Sequence, residues 1–230
     1  YQNTIAGEPM LNAPLMDRQG NFWFNHHDRY VKYDRKNKRS VSVEAPVSSG
    51  FDKSEHYVWG ISADRQLYRM SIGEGDIAVL KYDLAQWQID EISVIRAVSD
   101  ETILIGSKTS GLWQYDVRTQ TAHQIFFENY VRDILCYSSS VCWIATENGI
   151  YLYDINSHKV EHWRKDPHDV FAIQDHAIYS FYKDREGGVW CGSYFRGLSY
   201  VPNSQCKFES FKPSKKYPGL EGTVVREFCK

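Results

Sequence analysis

The chain has 230 residues, with 27 Lys and Arg against 29 Asp and Glu, a formal net charge of −2, a hydrophobic fraction of 42% and an aromatic fraction of 15%. The basic residues are scattered rather than banded, which speaks against a nucleic-acid surface, and no run approaches the roughly 18 apolar residues that a membrane helix needs. Sixteen Tyr, eleven Phe and seven Trp suit strands, which favour aromatic and β-branched side chains, so an all-β chain with a substantial core is expected.

In chain order, residues 1 to 8 read as an orphan strand ahead of the first unit. Residue 1 is Tyr and no charged n-region with an apolar h-region follows, so any targeting segment is expected to be gone already. Asp17-Arg18-Gln19-Gly20-Asn21 then places a carboxylate where it can bond to backbone N–H groups, and a Gly where positive φ is needed, as in a hairpin turn. A strand from Trp23 and one closing on Tyr33-Asp34 follow, and a second, weaker copy runs from Trp59-Gly60 to Leu67-Tyr68. Gly73-Glu74-Gly75-Asp76 is too short and too far from a helical pattern for a nucleotide loop, and reads as a connection. The third unit is Leu104-Ile105-Gly106-Ser107 with Gly111-Leu112-Trp113-Gln114-Tyr115-Asp116. The fourth contains strands Val131 to Tyr137, Val141 to Thr146, Ile150 to Ile155 and Val160 to Arg164; the fifth contains Ile178 to Lys183, Val189 to Ser193, Leu198 to Val201 and Phe208 to Phe211. Val224 to Phe228 reads as the first strand of a sixth.

The anchors Trp23, Trp59, Leu104, Trp143 and Trp190 lie 36, 45, 39 and 47 residues apart, averaging about 42, within the roughly 40–45 of a four-stranded propeller blade. A unit of this kind cannot bury its own faces and must stack on its neighbours. The alternation of Trp190 with Gly192 and of Trp143 with Ala145 fits such stacking, because a small residue leaves room where an adjacent sheet approaches. The expected architecture is therefore one partial β-propeller domain over 1–230, with antiparallel blades near 9–45, 46–90, 91–128, 129–170 and 171–213 and a further start at 222–230. Its orphan end strands either meet in one incomplete blade or leave an open arc with exposed edges. An open arc predicts self-association that depends on concentration.

Catalytic, metal and cofactor signatures are absent from the sequence: there is no HExxH, GxSxG, P-loop, EF-hand loop or dinucleotide glycine fingerprint. Five Cys exclude a fully paired framework, and Cys136 and Cys142 flank Ser138-Ser139-Ser140 so that in a hairpin they could face each other. His158 and His162 fall on strand and turn, where solvent exposure is the default. Propellers bind ligands on the face built from the loops between strands two and three and from the inter-blade connections. Here those loops hold His26; Asp64 and Arg65; Lys108; Glu147 and Asn148; and Tyr194, Phe195 and Arg196, with Tyr130 and His168 from the connections. Aromatic rings beside amide, carboxylate and guanidinium groups suit sugars, which stack an apolar face and hydrogen-bond through their hydroxyls. A propeller enzyme would instead need a convergent acid–base set such as His168 with Glu147, or His26 with Asp64. An interaction scaffold would need a peptide partner.

The run Asp184-Arg185-Glu186-Gly187-Gly188-Val189-Trp190-Cys191-Gly192-Ser193, continuing through Gly197-Leu198-Ser199-Tyr200 and later Val224-Val225-Arg226-Glu227-Phe228-Cys229, resembles the two-component regulator propeller repeat. The resemblance covers nearly the whole chain and is strongest in units three to five. It implies part of a seven-bladed propeller in the periplasmic input region of a hybrid two-component sensor, ahead of an immunoglobulin-like domain, a membrane helix, a histidine kinase and a DNA-binding output. It further implies an oligosaccharide ligand, a homodimer in the full-length protein, no cofactor and no catalysis by these residues. Contact with a membrane would come only through downstream segments outside this sequence.

Overall fold

A computed structural model of the chain describes residues 14–26, 28–44, 47–73, 76–127, 130–166, 168 and 172–203. The expected strands at 1–8, 208–211 and 224–228 lie outside these residues.

The described residues form five antiparallel sheets, each an up-and-down meander whose strand order follows the chain. The first comprises β1 (Leu15–Met16), β2 (Phe22–His26), β3 (Arg29–Asp34) and β4 (Arg39–Glu44). The second comprises β5 (Val47–Lys53), β6 (Tyr57–Ser62), β7 (Gln66–Ser71) and β8 (Val79–Asp83), after which a short 3-10 helix spans Ala85–Trp87. The third comprises β9 (Ile92–Ala97), β10 (Thr102–Ser107), β11 (Leu112–Asp116) and β12 (Thr121–Phe126). The fourth comprises β13 (Val131–Cys136), β14 (Val141–Thr146), β15 (Gly149–Asp154) and β16 (Val160–Trp163). The fifth has three described strands, β17 (Ile178–Lys183), β18 (Val189–Ser193) and β19 (Leu198–Val201).

The second strands of the second, third and fourth sheets read as nearly continuous apolar runs, Val58-Trp59-Gly60-Ile61, Ile103-Leu104-Ile105 and Cys142-Trp143-Ile144-Ala145, because they are buried on both faces between neighbouring sheets. Fourth strands such as β4 alternate half-buried with exposed residues, as one wetted face requires. Among the described residues the core is correspondingly divided into four clusters, each lying between consecutive sheets. Trp23 and Tyr30 pack with Val58, Tyr68 and Met70, and Trp59, Ile61 and Leu67 with Ile95, Ile103 and Tyr115. Leu104 and Leu112 pack with Ile134, Ile144 and Tyr153, and Trp143 and Ile150 with Ile178, Val189 and Cys191. At Gly60 a Cβ would lie 2.2 Å from the Tyr30 hydroxyl, which donates to the Ile61 carbonyl at 3.2 Å, so the glycine is what lets the first two sheets close.

First strands of successive sheets touch directly, β5 with β9, β9 with β13 and β13 with β17. Side chains stitch them together. Asp52 on β5 accepts from the Ala97 amide at 2.8 Å, Asp133 on β13 accepts from the Phe181 amide at 2.8 Å, and Arg96 on β9 donates to the Ile134 carbonyl at 2.7 Å. The Arg96 guanidinium also pairs with both carboxylates at 3.3 Å. Burial pushes the Asp52 carboxyl up against the opposing pull of Arg96. This arrangement of stacked meanders, first strand against first strand, is consistent with the blades of a β-propeller.

The hairpins repeat as well. Asp17 accepts from the Gln19 and Asn21 amides, both at 2.9 Å, and Asp184 from the Gly188 amide at 2.8 Å, in the expected Asx fashion. Ser54, Ser99 and Ser138 stand in the corresponding place in the other three sheets: Ser54 accepts from the Trp59 indole at 2.8 Å, and Ser99 and Ser138 from amides of their own turns.

Candidate ligand-binding rim

At the opposite end of the second to fifth sheets, the turn between strands two and three is closed by a Ser or Thr hydroxyl three residues after the anchor. Ser62, Ser107, Thr146 and Ser193 accept from the amides of Gln66, Ser110, Asn148 and Arg196 at 3.1, 2.9, 3.1 and 3.1 Å. Backbone bonds tie these turns to the connections between sheets: Lys108 N to Glu91 O at 3.0 Å, Tyr130 N to Lys108 O at 3.0 Å and Tyr194 N to Ala177 O at 3.1 Å. Two sets of loops thus form one rim.

The structure does not gather the eleven candidate residues into one pocket. His26 ends β2, and only its backbone is described. Asp64 takes a hydrogen bond from the Ser62 hydroxyl, and Arg65 at φ 63° pairs with Asp90 at 2.9 Å, so this part of the rim is internally satisfied. Lys108 contributes its backbone to the rim, and its side chain is exposed. His168 is exposed, its amide donating to Asp166 at 2.8 Å. Asn148 offers its carbonyl to His162 Nε2 at 2.7 Å.

The junction of the fourth and fifth sheets is where candidates meet. The Arg132 guanidinium lies over the Tyr130 ring at 3.4 Å and the Tyr179 ring at 4.1 Å, and its Nε is 2.7 Å from Glu147. Each such cation–ring contact is worth about 0.5–2 kcal/mol, more as water is excluded. Tyr179 stacks on Tyr194 with centroids 5.0 Å apart, and Phe195 meets Tyr194 edge-on at 4.4 Å. Loss of solvation and the Glu147 charge push the Tyr179 phenol up. Asp175 fixes the turn from below, accepting from the Phe195 amide at 3.0 Å; burial raises its carboxyl, but this bond and those from His176 and Ala177 hold it lowered overall. Tyr194 and Phe195 nevertheless stay 60% and 78% exposed. The result is a solvent-facing aromatic shelf backed by a paired charge. A second stack, Phe126 on Tyr151 at 4.4 Å and Tyr151 on His162 at 3.8 Å, lies on the other side of the Asn148 turn.

His162 is therefore half-buried rather than solvent-exposed, whereas His158 is exposed as expected, its Nδ1 2.9 Å from the Tyr153 hydroxyl. His162 is held by a neighbour that strand pairing supplies, Tyr151 lying directly opposite it. Arg132 and Tyr179 were not among the candidates. Each is the second residue of a first strand, one step beyond the fully buried Val131 or Ile178. Superposing the first strands of the units was the signal that could have found them.

No family model matches the chain, and no curated protein matches it. Among solved structures, the chain is similar to the extracellular domain assigned to a hybrid two-component system, BT3049, of B. thetaiotaomicron, at 14% identity and a TM-score of 0.48, covering 90% of this chain and 35% of that one. It is similar to the computationally designed protein Ika8 at 13% identity and a TM-score of 0.59, covering 84% and 58%. Similarity to U3-55K has 10% identity and a TM-score of 0.61, covering 81% and 61%. The last two likenesses bear on the fold alone, and the first carries no argument. The chain spans about a third to three fifths of the length of these structures. No helix among the described residues is long and apolar enough to cross a membrane.

Proposed function

We propose that this chain is part of the β-propeller of an extracytoplasmic sensor of the hybrid two-component type, and that its rim binds an oligosaccharide. The carrying observation is the Tyr130, Arg132, Glu147, Tyr179, Tyr194 and Phe195 assembly: flat exposed rings fixed in place beside a guanidinium–carboxylate pair. Sugars are bound by such pairings of ring faces with directional hydrogen bonds. The resemblance of units three to five to two-component regulator repeats supports the sensor role and the periplasm as its location. A sensor needs no chemistry, only a ligand that binds two arrangements with different affinity. In the acid–base reading Glu147 would serve with His168, yet Glu147 is already committed to Arg132.

Calorimetry with a panel of glycan-derived oligosaccharides tests the reading. At least one should bind the wild-type chain, and Tyr194→Ala with Phe195→Ala should weaken it by about tenfold or more, equivalent to about 1.4 kcal/mol. Absence of binding across the panel, affinity indifferent to both substitutions, or glycosidic cleavage by the wild type would each overturn it.

A further inference from the structure

Cys136 and Cys142 close the fourth sheet's first hairpin. They are directly opposed residues of β13 and β14, and the Cys142 thiol donates to Cys136 Sγ at 3.4 Å. Opposed residues in an antiparallel pair have Cα atoms roughly 4.5 or 5.5 Å apart according to their place in the ladder. Both values fall within the roughly 4.4–6.8 Å that a disulfide spans. The turn between them is fixed by the Tyr137 amide bonding to the Val141 carbonyl at 2.9 Å and by the Ser138 hydroxyl accepting from the Val141 amide at 3.0 Å. Bringing the sulfurs into bonding range therefore needs side-chain rotation and no change of register.

We propose that Cys136 and Cys142 are a dithiol site that closes to an intramolecular disulfide by exchange with a small-molecule or protein disulfide. Cys136 is the attacking sulfur. It is half-buried whereas Cys142 is fully buried, so it is the one an external disulfide reaches. The hydrogen bond from Cys142 and the charge of Arg96 both favour its thiolate, while the same hydrogen bond and burial hold the Cys142 proton in place. The Cys136 thiolate attacks the external disulfide, forming a mixed disulfide and expelling one thiolate, which takes up a proton. Cys142 then loses its proton and attacks Cys136 Sγ, and the second external thiol leaves. Two protein thiols and one external disulfide become one protein disulfide and two external thiols. Cys191, fully buried in another core cluster, has no part in the exchange.

The inference stands on the hairpin alone and does not depend on the sensor reading. The test is mass spectrometry of the folded chain after treatment with glutathione disulfide, followed by alkylation and tryptic digestion. Both cysteines lie on the single peptide 133–159. The expected peptide is unalkylated and two hydrogens lighter, and dithiothreitol should restore double alkylation. In Cys142→Ser the exchange should stop at a glutathione adduct on Cys136, and Cys136→Ser should abolish reaction at the remaining cysteine. A doubly alkylated peptide from oxidant-treated, folded protein, or a stable glutathione adduct in the wild type, would overturn the proposal.

Discussion

Trp23 in the first sheet and Trp190 in the fifth hold the same place in their units, and each donates its indole N–H to an Asp six residues earlier, Asp17 at 2.8 Å and Asp184 at 3.2 Å. Yet Trp23 is fully buried against the second sheet, whereas Trp190 is 40% exposed and rests on Tyr200. Local sequence makes both hairpins; a neighbouring sheet decides what each ring is worth. Within a stack of meanders the anchor is therefore a joint between units rather than a feature of any one of them.

The largest test of that difference is truncation of the two rings. Trp23→Ala should cost about 3–5 kcal/mol in urea unfolding, the usual range for an aromatic lost from a core. Trp190→Ala, which loses mainly its stack on Tyr200, should cost about 1 kcal/mol. Equal losses would mean that the fifth sheet's exposed face contributes as much as a buried joint, and would break the comparison.

Removing the carboxylates sharpens it. Asp17 is buried and takes bonds from the Gln19 and Asn21 amides, the Asn21 side chain and the Trp23 indole. Asp17→Ala leaves several of these donors unpaired away from water, at about 1–3 kcal/mol. Asp184→Ala frees groups that water can reach, so a smaller loss than at Asp17 is expected. The measurement is the same unfolding titration, and a larger loss at Asp184 would count against the reading.

The strands were legible because each rests on a local pattern: apolar runs bounded by Asp, Ser and Gly turns specify where a meander folds back. The fourth sheet follows its sequence-derived strands to within a residue or so. Unit two reads weakly in sequence, yet its turn is built like those of units three and four, with Ser54 receiving the Trp59 indole N–H. The rim was legible only as a set of loops. Its gathering point depends on Arg132 and Tyr179, which belong to neighbouring sheets and whose partners lie across a joint. His162 was misjudged for the same reason, because the ring it stacks on comes from the opposite strand and is invisible to spacing along its own.

The smallest effect concerns the turns that follow third strands. Asp34, Asp116 and Asp154 end β3, β11 and β15 and accept from the amides of Asn37, Thr119 and Ser157 at 3.0, 2.7 and 2.7 Å. Those backbone donors, chiefly, hold all three carboxyls below the usual range. In the fifth sheet the residue after β19 is Pro202, which offers no such acceptor side chain. A carboxyl lowered on folding is protonated first in the unfolded chain as pH falls, so its stabilisation is present above the unfolded value of about 3.9 and is lost as pH drops through the folded one. Unfolding free energy should therefore fall with acid below about pH 4, and the triple variant Asp34→Asn, Asp116→Asn, Asp154→Asn should flatten that slope while leaving the dependence above pH 5 unchanged. Because these turns face water, the change in slope should be small beside the loss at Trp23. An unaltered acid limb in the triple variant would show that the hairpin carboxylates, alike in three sheets and missing from the fifth, do not distinguish the sheets in stability.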